Sequence, residues 1–131
     1  MRMPSFEMDG WRLRDGEQLH RNAPATFHIP DLLLRKLLDP GDLVKLVFEI
    51  DIEGREFPAV ERMWVIIREK ISGGYVGMLD NKPSSIPEND RLWVGTELPF
   101  EYRHIVDASP GDAETHAAAL APAPIPWDRS S

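Results

Sequence analysis

The sequence predicts a mainly β fold of the α+β kind: a small, curled antiparallel β-barrel or roll of four to six strands, with one short helix near residues 30–38. Three observations carry this. Between Leu43 and Ile52, Val44, Leu46, Phe48, Ile50 and Ile52 alternate with Lys45, Val47, Glu49 and Asp51, the period-2 pattern of a strand with one core face and one wetter face. A second apolar run, Val60–Ile71, leads through Ser72-Gly73-Gly74 into a third at Tyr75–Leu79, the signature of a tight hairpin. A sheet of so few strands must also curl over to bury its apolar side.

Taken in order, residues 1–25 read as an N-terminal arm. The segment is polar and broken, with Asp9-Gly10 and Asp15-Gly16 as turn signals, and Trp11 and Leu13 either clip it to the body or form a short edge strand. The domain proper is expected over 26–107. In "PDLLLRKLLDPGD", Pro30 suits a first helical turn and Asp31 the positive end of the helix. Leu33, Leu34, Leu37 and Leu38 make an apolar stripe, and Asp39-Pro40-Gly41-Asp42 stops the helix. Glu53-Gly54 turns the chain from the first strand to the second. In that second strand Met63, Val65 and Ile67 are expected inward, so Arg62, Trp64, Ile66 and Arg68 face outward. Gly77 would permit a bend in the third strand. After the loop "DNKPSSIPEND", a last strand is expected from about Leu98 to Val106, with Leu98, Phe100 and Tyr102 on one face.

From Ala108 the composition shifts to Ala and Pro. Alternating "APAPIP" favours extended, polyproline-like backbone and cannot join a central strand. Residues 108–131 therefore read as a tail, flexible or draped on the surface. A short helix would fit Asp112–Leu120, capped by Asp112 or Ser109. Trp127 has enough apolar area to dock on its own domain or on a neighbour.

Charge narrows the function classes. Twenty-two acids against fifteen Lys and Arg leave a net charge of −7, which repels phosphate backbones and anionic lipid, so neither a nucleic-acid nor a membrane partner is expected. With 42% apolar residues the chain can still bury a core. There is no cysteine, which removes thiol nucleophiles and thiolate metal ligands. The start of the chain lacks the apolar stretch of a secretory signal, and a cytoplasmic location is expected. His20, His28, His104 and His116 are scattered without ligand spacing, so no metal or other cofactor is expected.

Three stretches hold the candidate site residues. "VERMWV" (Val60–Val65) places Glu61, Arg62 and Trp64 on a strand. The outer face is either a surface cluster, with Trp64 covered by the Pro-rich tail, or an aromatic and basic platform for an anionic or planar ligand. Glu61 falls inward at the strand's beginning, where it would cap a loop or pair with Arg62 or Arg103, or act as a buried general base. In "LDNKP", Asn81 and Pro83 form a turn, unless the Asn81 amide meets a ligand at the barrel mouth. "FEYRHIVD" brings Arg103, His104 and Asp107 close in sequence; a His–Asp couple could move protons, but no Ser lies in a nucleophile elbow.

These stretches, with "TFHIPDLLLRKLLDPGDLVKLVFE" (Thr26–Glu49) and "GYVGMLDNKP" (Gly74–Pro83), resemble in order and spacing the uncharacterised bacterial family catalogued as domain of unknown function 2314. The matching positions are Glu61, Trp64, Val65, Gly77, Leu79, Asn81, Pro83, His104, Ile105 and Asp107, and the likeness spans about residues 26–107. Gly95-Thr96-Glu97 stands where the family has a Gly-Asp turn. The resemblance implies a small β-rich domain and carries no established activity.

The expected function is a binding or interaction module for a protein or small-molecule ligand. One version is an immunity-type protein neutralising a basic partner, which the negative charge would suit. A small enzyme built on Glu61, His104 and Asp107, with Arg62 or Arg103 as anion clamp, is the alternative. A structural subunit forming a homodimer through a strand edge or the Trp127 tail is the third reading.

Overall fold

The computed structural model describes residues 1–130. Six strands form one nearly closed, barrel-like antiparallel sheet with four short α-helices around it. Phe6–Asp9 is α1, Trp11–Leu13 is β1, Gly16–Asn22 is α2 and Leu32–Lys36 is α3. The strands that build the wall are β2 (Leu43–Ile50), β3 (Ala59–Ile71), β4 (Gly74–Leu79), β5 (Glu97–Glu101) and β6 (Ile105–Ser109), and α4 is Ala113–Leu120.

The alternation in β2 does what its period requires. Val44, Leu46, Phe48 and Ile50 are buried, and Met63, Val65 and Ile67 of β3 meet them inside the barrel. β2 pairs with β3 along its whole length on one edge. Its other edge pairs with β6 over Leu43–Leu46 and with β1 over Phe48–Ile50. β3 continues through the Ser72–Gly73 hairpin to β4, and β4 pairs with β5. Gly73 takes a φ of 80°, the left-handed conformation that only glycine adopts at little cost.

The last strand is not continuous. Where one run over Leu98–Val106 was expected, β5 ends at Glu101, a 3-10 turn occupies Tyr102–His104, and β6 leaves in a new direction. That turn carries the chain from the β4 edge to the β2 edge and so closes the barrel.

Gly77 serves close packing. A Cβ there would lie 2.5 Å from a Val65 methyl and 2.8 Å from the Ile66 carbonyl oxygen. The local bend comes instead from β3, where the register slips between Ile67 and Glu69 opposite Gly77 and Val76, leaving Arg68 as an extra residue. Gly77→Ala is expected to destabilise by roughly 2 kcal/mol through overpacking, measured as a shifted urea midpoint with unchanged slope.

The helix α3 sits the opposite way round from its leucine stripe. Only Leu38 of the four stripe leucines is buried, whereas Leu33 and Leu37 are 70% and 65% exposed. Arg35 faces inward instead. Its guanidinium donates to the carbonyls of Pro30 (2.8 Å) and Tyr102 (2.9 Å) and pairs with Glu17 at 2.8 Å. Backbone carbonyls at the barrel end need donors, and a guanidinium supplies five in a fixed fork, which leucine cannot. Tyr75 fastens the same helix, donating its hydroxyl to the Arg35 carbonyl and accepting from the Leu38 amide.

Both chain ends belong to this body. Trp11 is buried in the core, and Asp15 caps α2 by accepting from the Gln18 amide rather than marking a plain turn. The expected division at residue 107 falls inside β6. Beyond it α4 forms with Asp112 as its cap and packs on β3, and Ile125 bridges to Thr96 at the start of β5. Trp127 docks on its own domain, edge-on to Trp11 at 6.2 Å. Arg68 and Glu97 lock this arrangement. Arg68 donates to the carbonyls of Ala118 and Ala121 at the negative end of α4, and the buried Glu97 carboxylate accepts from Arg68, Arg129 and the Trp127 amide. No helix among the described residues is long and apolar enough to cross a membrane.

Candidate functional site

The outer face of β2, β3 and β6 presents a row fixed by register. Trp64 of β3, Lys45 of β2 and Asp107 of β6 lie directly opposite one another, and Arg62 is the diagonal neighbour of Lys45 on the same face. The segment Thr26–Pro30 passes over this face, and between them lies a groove of about 540 Å³. Phe27, Ile29, Pro30, Lys45, Arg62 and Asp107 line it.

Two cation–π contacts organise the groove. The Lys45 ammonium lies 4.7 Å from the centre of the Trp64 ring, and the Arg62 guanidinium 4.9 Å from that of Phe27. Each contributes about 0.5–1 kcal/mol at such accessible positions. Neither cation has a carboxylate within 4 Å among the described residues, although the chain carries an excess of acid. Of the two arginines expected on the outer face with Trp64, neither stacks on its ring; Lys45 does. The bulge turns Arg68 away toward Glu97 and α4, and Arg62 covers Phe27.

The remaining candidates serve the fold. Glu61 pairs with no arginine among the described residues; both carboxylate oxygens accept from the backbone amides and hydroxyls of Ser84 and Ser85. Partial burial pushes its pKa up, but these hydrogen bonds outweigh that and hold it below the ordinary carboxylate value. The Asn81 side-chain oxygen accepts from the Trp64 amide at 2.5 Å, and the Asp80 amide donates to the Trp64 carbonyl, so the turn pins the backbone beneath Trp64 and its oxygen is not offered to a ligand. Pro83 is buried beside it. Arg103 is exposed, paired with Glu101 and Asp15.

His104 is closed inside the 3-10 turn with 3% exposure, its Nδ1 accepting from the Glu101 amide at 2.9 Å. That bond requires the neutral ring with its proton on Nε2. The three residues of the enzyme reading are therefore dispersed: Glu61 holds the Ser84–Ser85 loop, His104 holds the turn, and Asp107 alone lines the groove.

Sequence reasoning reached Arg62, Trp64 and Asp107 but missed Lys45 and Phe27. Lys45 was visible as the charged residue on the wet face of β2. Its place beside Trp64 depends on register across an eight-residue connection, Asp51–Pro58, that no local signal sets. Comparison with known proteins finds no matching family model, no similar curated protein and no similar solved structure. The likeness to domain of unknown function 2314 rests on the quoted residues alone.

Proposed function

We propose that the protein is a binding module whose groove between Thr26–Pro30 and the β6–β2–β3 face receives an anionic ligand. The observation that carries this reading is the pair Lys45 and Arg62. Two cations stand side by side on aromatic rings, without acidic partners among the described residues, in a chain of net charge −7. Several other Lys and Arg also lack a carboxylate within 4 Å among the described residues; Lys45 and Arg62 are set apart by lining one open groove whose volume suits a small molecule or a short segment of a partner. Stacking on rings holds both side chains in place before a ligand arrives, which reduces the ordering entropy of binding. A basic partner, as in the immunity-type reading, would meet like charge here.

Titration calorimetry at low salt with a panel of small carboxylates, phosphates and sulfates tests the proposal. At least one class is expected to bind the wild type, and Arg62→Glu with Lys45→Glu is expected to weaken it by roughly a hundredfold, with the melting temperature little changed. Binding that survives the double charge reversal would remove the groove as the site.

A further inference from the structure

Asp107 occupies the other side of the same groove, and its position bears on the ligand's second charge. It stands directly across from Lys45 in the β2–β6 register, where side chains on paired strands are near enough to form an ion pair. No such pair forms within 4 Å; the Lys45 ammonium leans to the opposite side, over Trp64. Among the described residues the Asp107 carboxylate instead accepts only from the amide of its own neighbour, Ala108, at 2.8 Å, and the residue is exposed. Arg62 is likewise turned toward Phe27. The groove, whose lining also includes His28, thus keeps the Lys45 and Arg62 cations and the Asp107 carboxylate apart, each held by a contact other than its opposite charge, with Phe27, Ile29 and Pro30 as apolar wall between segments.

We infer that the ligand is a zwitterion of the amino-acid or short-peptide class. Its carboxylate would sit on Lys45 and Arg62, its ammonium on Asp107, and an apolar side chain against Phe27 and Ile29. This inference rests on the groove reading above and adds the requirement for a free ammonium group. A ligand carrying both charges would satisfy all three groups at once. A simple anion would leave Asp107 repelling it.

The test uses the full chain and four probes: phenylalanine, leucyl-phenylalanine, N-acetyl-leucyl-phenylalanine and leucyl-phenylalanine amide. Acetylating the amine or amidating the carboxylate is expected to weaken wild-type binding of the dipeptide by about tenfold or more, since each removes a charge-assisted hydrogen bond. In Asp107→Asn, which keeps the bond to the Ala108 amide, the free and acetylated dipeptides are expected to bind alike. In Arg62→Gln the free and amidated forms are expected to converge instead. Comparable binding of phenylalanine and the dipeptide would assign the site to single amino acids, and a clear preference for the dipeptide to peptides; both support the inference. Equal binding of free and acetylated dipeptide by the wild type overturns it and leaves the anion site standing. No binding of any probe, while the anion panel binds, also overturns it; silence from probes and panel together removes both proposals. Circular dichroism and melting temperature of each variant exclude loss of fold as the cause.

Discussion

Replacing Trp127 with alanine is expected to destabilise the protein by about 3–5 kcal/mol, the range for removing a large aromatic side chain from a packed interior. Although only four residues follow it in the sequence, the indole is only 9% exposed and belongs to the main apolar cluster with Trp11 and Phe48. The Arg2 guanidinium lies over its ring at 4.4 Å, and its backbone amide donates to the buried Glu97 carboxylate at 3.1 Å. Losing the ring opens a cavity against Trp11 and weakens the contact that joins the two ends of the chain. Trp127→Phe should cost much less. The Trp127 Nε1 is buried without a hydrogen-bond partner among the described residues, so phenylalanine removes an unsatisfied donor while keeping most of the area. Urea denaturation followed by far-ultraviolet circular dichroism measures both. A loss below about 1 kcal/mol for the alanine variant would show that the tail does not seat on the barrel in solution.

The second large effect is a loss of stability in mild acid, traced to His104. Burial lowers its pKa from 6.5 to about 4, and the neighbouring positive charge of Arg103 acts in the same direction, against the smaller opposing effects of Glu101 and Asp15. The folded state therefore prefers the neutral ring, so the unfolded chain binds more protons between these two values. Stability from this group is complete above pH 6.5 and is lost as pH falls toward 4, amounting to roughly 3 kcal/mol at the acid end. The structural reason is local. Protonating Nδ1 destroys the bond from the Glu101 amide and places a charge inside the turn that redirects β5 into β6. The carboxylates of Asp15 and Glu61, whose pKa values are lowered from 3.8 and 4.5, begin to lose their contribution only as pH falls to about those ordinary values. Unfolding free energies at pH 7.5, 5.5 and 4.5 should fall steadily in the wild type. In His104→Asn, whose side-chain oxygen can take the same amide bond, the curve should flatten over that interval. A wild-type curve as flat as the variant's would contradict the account.

Much of the fold was legible because its signal is local. The alternation over Leu43–Ile50 and Met63–Ile67, the Ser72-Gly73 hairpin and the Asp112 cap each depend on residues within one or two turns of chain, and each appears as expected, although the first strand ends two residues before the expected Ile52. The candidate site was legible in fragments. Arg62 and Trp64 followed from strand parity, but their cation–π partners Phe27 and Lys45 did not, because one lies in a segment that crosses the sheet and the other is set by the β2–β3 register. Asn81 and Glu61 were visible as polar residues near the apolar strand. What they bind, the Trp64 amide and the Ser84–Ser85 loop, lies seventeen to twenty-four residues away.

Sequence by itself determined the strand-rich body, the inward faces of β2 and β3 and the acidic balance, since period-2 patterning and charge count require no partner to be read. Tertiary structure alone decided the burial of Arg35 in place of the leucines of α3, the breaking of the final strand at His104, and the docking of Trp127 beside Trp11. Each of these satisfies a demand that exists only once the barrel has closed: carbonyls at its end that need donors, an edge of β2 that needs a strand, and an apolar flank that needs cover. Propensity along the chain cannot express such demands, because they arise between segments far apart in it.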